Sequence, residues 1–244
     1  MERKLSSGEK TERTKSTFDR LKKLKKYLLE STPRFGEKWD THLPLFNETA
    51  SLARILWFNE IYKKILDLNG DIIEFGSQWG ASLSTLLSLM SIYEPYNPSR
   101  RLISFSTFEE GFSGSSDFDG DNNDNGNYAT SESWDKTLFE ILNERHPNKN
   151  IIINNGDATK LLPKYLNDND RLISMVHFDM DIYYPTLECL KLIWPKMQKG
   201  AVIIFDELNC DAFPGETKAV IEYFDDSVKF QRSNFQPYSS YVIK

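Results

Sequence analysis

Asp71-Ile72-Ile73-Glu74-Phe75-Gly76-Ser77-Gln78-Trp79-Gly80-Ala81-Ser82 is the stretch that decides the fold. A short apolar run closes on an acid and an aromatic residue and passes through two glycines. It then enters an amphipathic pattern carried by Leu83, Leu86, Leu87 and Met90. The order reads as strand, tight turn, helix. Gly76 and Gly80 let the backbone turn sharply and let a ligand approach closely. The helix behind them would aim free N–H groups and its positive end at that ligand.

Similar runs recur downstream at residues 102–105, 151–153, 172–176 and 201–205, with helical patterns such as Leu187, Leu190 and Trp194 between them. Strands alternating with helices imply βαβ units, a mostly parallel sheet and the α/β class. Val228-Lys229-Phe230 and Tyr241-Val242-Ile243 read as a terminal pair of strands. Upstream, a helix is expected over residues 49–66, capped by Asn47 or Thr49 and ended by Asn69-Gly70. Its apolar stripe is read as Leu52, Ile55, Leu56 and Ile65. Residues 1–45 read as an N-terminal helical extension, with Phe18, Leu21, Leu24 and Leu28 on one face among Arg20, Lys22, Lys23, Lys25 and Lys26. That suits a solvated capping helix or a homo-oligomer contact; a basic arm for a membrane or an acidic partner is the other reading. Residues 46–244 are expected to form one domain.

Composition bounds the function. With 39% hydrophobic and 27% charged residues over 244 positions, one large α/β domain can bury a sizeable core. A net charge of −6 argues against nucleic acid as a partner. Cys189 and Cys210 are too few for a disulfide framework or a zinc site, and a reducing, cytoplasmic setting follows as an expectation. Met1-Glu2-Arg3-Lys4 opens no secretion signal, and no run approaches the roughly 20 apolar residues of a membrane span.

The glycine turn is neither the Gly-x-Gly-x-x-Gly dinucleotide fingerprint nor a P-loop. Glu74 would repel a phosphate but suits a cationic ligand that bears hydroxyls, and S-adenosylmethionine is one. An ordinary glycine turn is the alternative. Asp157, in Asn155-Gly156-Asp157-Ala158, either accepts a hydrogen bond from an adenine amino group or caps the helix that follows. Asp179 and Asp181 end the fourth strand, and Asp206 and Glu207 end the fifth. Adjacent parallel strands bring Asp179, Asp206 and Glu207 together, and carboxylates so packed need a cation or protons. Mg²⁺ suits hard oxygen ligands and would acidify a substrate hydroxyl. Asp181 would take the proton as general base. Caps and lysine partners are the plainer account of these acids.

Residues 113–131 are almost entirely Gly, Ser, Asp and Asn, and read as a lid hinged near Tyr128 and Trp134, or as a solvated insertion. Asp121, Asn123, Asn125, Gly126 and Glu132 match the EF-hand spacing, but a helix is not expected before them.

Over about residues 48–226 the chain resembles the macrocin O-methyltransferase family of metal-dependent sugar methyltransferases. The resemblance rests on Asp179-Met180-Asp181-Ile182-Tyr183-Tyr184-Pro185-Thr186, Trp194-Pro195-Lys196, Lys199-Gly200-Ala201, Phe205-Asp206-Glu207 and Pro214-Gly215-Glu216. It implies a class I methyltransferase fold, with a seven-stranded, mostly parallel sheet and helices on both faces. It also implies an S-adenosylmethionine donor, a Mg²⁺ ion on the acids matching Asp179, Asp206 and Glu207, and Asp181 as base. Glu74, Gly76, Ser77, Gly80 and Ser82 correspond to the donor turn, and Ser106, Glu109, Asp157 and Asp179 are further donor contacts. The chain departs from the family at Ser106, which replaces the usual ribose-binding acid, at Glu207, which replaces an Asp, and at Trp79, which replaces an Arg. The acceptor is expected to be a small molecule, a sugar or nucleotide-linked sugar. An amine acceptor and a non-catalytic donor-binding protein are the alternatives.

Overall fold

The computed structural model describes residues 15–121, 124–225 and 227–244. The strands are β1 (Asp71–Phe75), β2 (Arg101–Ser106), β3 (Asn150–Asn155), β4 (Ile173–Phe178), β5 (Val202–Phe205), β6 (Gln231–Arg232) and β7 (Ser240–Ile243). They form one sheet in the order β3-β2-β1-β4-β5-β7-β6. β1 to β5 run parallel; β7 runs antiparallel to β5, and β6 to β7. The five expected core strands are present. The terminal pair is shifted: Val228 and Phe230 pack onto the core instead of laddering, and the short strand forms at Gln231–Arg232.

The helices are α1 (Lys15–Ser31), α2 (Trp39–His42), α3 (Thr49–Lys63), α4 (Ala81–Tyr93), α5 (Trp134–Arg145), α6 (Ala158–Asp168), α7 (Tyr183–Ile193) and α8 (Pro214–Phe224). Alternation along the strands divides the core in two. Ile72, Leu102, Met175, Val202 and Ile204 pack against α3, α4 and α5. Ile73, Ile103, Val176, Phe178 and Ile203 pack against α6, α7 and α8. Both faces are therefore covered, as a parallel sheet requires. The same alternation puts Glu74, His177 and Asp206 on the α3 side, a point the site exploits.

The expected inner stripe of α3 is corrected. Leu52, Ile55 and Leu56 are exposed, whereas Trp57, Phe58, Ile61, Tyr62 and Ile65 are buried. The aromatic face offers more apolar area to the sheet and wins that side. Glu48, rather than Asn47 or Thr49, is the N-cap residue, and its carbonyl accepts from Leu52 N. In α1, Phe18, Leu21, Leu24 and Leu28 are each half-buried on a shared face, and Arg20 ties the helix to Glu48 at 2.7 and 2.8 Å. Among the described residues, no helix is long and apolar enough to cross a membrane. Residues 1–14 of the expected extension, with the Met1-Glu2-Arg3-Lys4 start, lie outside the described residues, as does Asn123 of the EF-hand spacing. The stretch before that spacing, residues 113–120, holds no helix.

At the entry to β1, Asp71 is buried and accepts from Arg101 Nε at 2.9 Å and Arg171 Nε at 2.8 Å. Burial would raise its pKa, but the two guanidiniums outweigh that and lower it. A lowered carboxylate stabilises the fold above the unfolded value of about 3.9, and that contribution disappears as pH falls through the folded value. We expect Asp71→Asn to cost about 2–3 kcal/mol in denaturant unfolding at neutral pH. That is below the usual loss for a fully buried pair because Arg171 keeps access to water. The deficit should shrink below about pH 4.

Candidate active site

The turn after β1 is held from both flanks. Gly76 N donates to Phe105 O, and Asp179 N donates to Phe75 O, both at 2.9 Å. Gly76 has φ +88°, and a Cβ there would run into the Asp179 carbonyl. Gly80, at φ +86°, precedes α4, and its Cβ would strike Leu138. Both glycines are thus required by conformation and by close packing. Gly76→Ala should lower the thermal midpoint by several degrees, as about 2 kcal/mol or more of strain demands.

Ser77 Oγ donates to Glu74 Oε1 at 2.6 Å and shares a 2.7 Å bond with Ser104 Oγ. Glu74 is fully buried and supports the turn from beneath rather than forming its wall. Ser82 and Ser106 line the cavity, and Ser106 Oγ accepts from Gln78 N at 3.4 Å. Glu109 stands off the cavity wall and accepts from Ser133 N at 2.9 Å, just before α5. Asp157 caps α6, accepting from Thr159 N at 2.9 Å, and also lines the cavity. The cap and the wall position coexist in one carboxylate. Trp79 is half exposed on the wall, edge-on to Trp134 at 5.0 Å.

The cavity measures about 390 Å³ and opens over the carboxyl ends of β1, β2 and β4. That is where open α/β sheets bind ligands. Phe112 and, from the polar segment, Ser113 and Tyr128 roof it, with Phe213 beside them. Asp179, Asp181 and Glu207 stand on its floor together with Arg54.

The structure groups the acids differently from the sequence expectation. Asp179, Asp181 and Glu207 each offer an oxygen within 4.8 Å of the others. Asp206 is committed elsewhere: Oδ2 accepts from Arg54 Nη1 at 2.6 Å, and Oδ1 accepts from Ser239 Oγ at 2.9 Å and faces His177 Nε2 at 3.6 Å. Arg54 Nη2 also reaches Asp179 at 2.9 Å. Asp179 therefore belongs to two sets whose ligand atoms lie close enough to share an ion, one with Asp181 and Glu207 and one with Asp206 and His177.

The charges explain the division. Burial would lower the His177 pKa, but the nearby carboxylates of Asp206 and Glu74 outweigh it and raise it to about 10, which favours the imidazolium. Burial likewise opposes ionisation of Asp206, yet Arg54 and His177 hold its carboxyl well below the usual range. Asp179 is pushed up to about 6 by burial and by Asp206. Asp181 is pushed up to about 8 by loss of water and by Asp179. Glu207 is raised well above its ordinary value by burial and by Asp181, and its Oε2 is buried without a hydrogen-bond partner. Asp206 is thus neutralised by Arg54 and His177, Asp179 shares Arg54, and Asp181 and Glu207 have no cation in contact among the described residues.

Asp181 adopts φ +64°, a left-handed conformation rare for a residue with a Cβ. Such strain persists only where neighbours over-determine it, and it concentrates at functional sites.

Sequence reasoning missed Arg54 and gave His177 no role. The signal for His177 was available, since it lies two positions before Asp179 on the same strand face. Arg54 sits on a helix whose inward face was misread.

Residues 73–208 match a family described as a methyltransferase domain. The chain belongs to that methyltransferase family. The class I fold and an S-adenosylmethionine donor come with that membership, and they agree with the macrocin O-methyltransferase resemblance. This methyltransferase is similar to CalS11, described as a calicheamicin methyltransferase, at 30% identity and a TM-score of 0.89, over 94% of this chain and 93% of that one. A second CalS11 structure, an apo form described as a TDP-rhamnose 3'-O-methyltransferase, gives 28% identity and a TM-score of 0.81 over 94% and 95%. The O-methyltransferase NovP shares the fold at 14% identity and a TM-score of 0.61, over 79% of each chain. Among curated protein sequences, none matches.

Proposed function

We propose that this methyltransferase acts on a hydroxyl of a sugar, most economically a nucleotide-linked deoxysugar. The observation that carries this is the carboxylate floor of Asp179, Asp181 and Glu207 beside the donor turn. The near full-length similarity to a TDP-rhamnose 3'-O-methyltransferase supports it. S-adenosylmethionine supplies a methyl group on a sulfonium sulfur. Ser77, Ser82, Ser106 and Asp157 are the donor contacts, with Gly76 and Gly80 giving close approach, Glu74 bracing the turn and Glu109 fixing the start of α5. Asp181 accepts the proton of the acceptor hydroxyl. Its raised pKa suits that task, because a base near the working pH both accepts and returns a proton readily.

The donor set fits a divalent ion: hard oxygens, short separations, and a buried Glu207 oxygen without a partner. Asp179, Asp181 and Glu207 would hold it, with Asp206 tied to Arg54. Magnesium there would lower the pKa of an acceptor hydroxyl. Calorimetric titration of magnesium chloride should show binding that Glu207→Gln weakens, and a chelator should suppress turnover.

The test is incubation with S-adenosylmethionine and a panel of TDP-deoxysugars, read by mass spectrometry. A methylated sugar nucleotide supports the reading. Transfer to amines alone would replace it with N-methylation.

A further inference from the structure

The polar segment after β2 holds one acid unlike its neighbours. Asp117 and Asp121 are exposed, whereas Asp119 is fully buried. Its Oδ2 closes a local turn, accepting from Ser116 N at 2.6 Å and Ser116 Oγ at 2.8 Å. Its Oδ1 leaves the segment and accepts from Tyr183 N at 2.5 Å. Tyr183 begins α7, where backbone N–H groups lack intrahelical partners and attract negative charge. The carboxylate also abuts α8, because a Cβ on Gly215 would collide with Asp119 Oδ1 and lie 2.6 Å from Tyr183 N. Phe118 packs on Tyr183 with ring centroids 4.8 Å apart, and Lys218 Nζ lies 5.5 Å over the Phe118 ring.

One residue, Ile182, separates this contact from Asp181. The stretch Asp179–Tyr183 is pinned at one end by Asp179 N on Phe75 O at 2.9 Å. It is pinned at the other by Tyr183 N on Asp119, and the left-handed Asp181 lies between. The neck of the polar segment is tied separately, by Phe112 N to Asn127 O and Gly126 N to Phe112 O, both at 2.9 Å. Phe112 and Ser113, next to that neck, face the cavity.

We propose that Asp119 is a positioning residue: it clips the cavity roof to the first turn of α7 and thereby holds the Asp181 backbone in its left-handed, productive conformation. The roof and the proton acceptor are then a single mechanical unit. An acceptor seated under the roof meets an oriented carboxylate, and a lifted roof releases both. The proposal rests on the sugar-hydroxyl reading only for the role of Asp181; the clip itself is a statement about backbone order.

Three variants test it. Asp119→Ala removes the clip. Gly215→Ala displaces it by pressing on Asp119 Oδ1 while Asp119 itself is kept, at a helical position whose own backbone tolerates alanine. Asp119→Asn retains an oxygen for Tyr183 N but turns an amide toward Ser116 N, so it should fall between. The first readout is amide hydrogen exchange at residues 182–184 with limited proteolysis of the polar segment, which needs no substrate. The second is methyl transfer, with donor affinity from titration of S-adenosylhomocysteine. We expect faster exchange and cleavage, a fall in kcat of about tenfold to a hundredfold, and donor affinity within about twofold of the parent. Partial rescue by Asp119→Asn supports the clip. Unchanged exchange at Tyr183 in both alanine variants overturns it, as does faster exchange with unchanged kcat. If the parent protein transfers no methyl group to any sugar nucleotide, the acceptor reading fails, and the exchange measurement alone still decides the clip.

Discussion

Asp181→Asn lowers kcat by about 10²–10⁴-fold, the usual contribution of a positioned general base, while the protein stays folded and binds donor as before. The substitution is a clean one here. Asparagine tolerates the left-handed backbone nearly as well as aspartate, so the φ of +64° is kept. The amide is isosteric and stays neutral where the carboxylate would ionise, so stability should be unchanged near neutral pH and gain only above about pH 8. The capacity to take a proton is removed, and with it one charged oxygen ligand of the carboxylate floor, so magnesium binding is titrated alongside. Calorimetry with S-adenosylhomocysteine and a melting curve check the unchanged properties, and a radiometric transfer assay checks the changed one. The pH profile adds a second reading. Loss of water and the neighbouring Asp179 push Asp181 up to about 8, so activity rises with pH toward that value as the proton is shed. A divalent ion among the same carboxylates favours their charged forms and moves the rising limb to lower pH. A transfer rate in Asp181→Asn within threefold of the parent would remove this residue from the chemistry.

Arg54→Met costs about 3 kcal/mol or more of stability at neutral pH, the loss expected when a buried charge is left without its partner. Arg54 satisfies Asp179 and Asp206 at once, at 2.9 and 2.6 Å, and its own pKa is raised by both acids against the opposing effect of burial. Methionine keeps much of the volume, so the measured loss is electrostatic rather than a cavity. The sign with pH is fixed by Asp206. Its folded pKa is depressed, so Arg54 stabilises the fold fully above the unfolded value of about 3.9, and the benefit is lost as pH falls through the folded value. Asp179, already raised to about 6, protonates sooner without its guanidinium and eases the variant as pH falls. The gap between variant and parent in urea unfolding should therefore narrow as pH falls from about 7 and close only well below about pH 4. Magnesium should raise the variant's midpoint more than the parent's, because a cation replaces part of what was lost. A gap independent of pH would show that Arg54 acts by packing alone.

The sheet was legible because each core strand announces itself as a bounded apolar run, and β1 is recovered residue for residue at Asp71–Phe75. The donor turn was legible for a conformational reason: Gly76 stands where a Cβ would strike backbone, and both Gly76 and Gly80 have the positive φ that favours glycine. Less could be read where two apolar faces compete on one helix. In α3, Leu52, Ile55 and Leu56 make as good a stripe on paper as Trp57, Phe58 and Ile61, and only the sheet decides between them. The inward turn of Arg54 was hidden with that choice. The grouping of the acids was half legible. Their convergence follows from strand order, but their division between protein cations and the open cavity depends on Arg54 and His177, which approach from different elements. Asp119 could not have been singled out among the acids of its segment, because its burial comes from contacts with α7 and α8, far along the chain.

The line of contacts from Ser77 through Glu74, His177, Asp206 and Arg54 to Asp179 ties the two ends of the reaction into one circuit. Tinkering with any member to admit a new acceptor would disturb the methyl-donor end as well. Breadth of acceptor choice is better sought in Phe112, Tyr128 and Phe213, which stand over the cavity but outside the circuit, so a library varied there can change what enters while leaving those six side chains and the Asp119 clip in place.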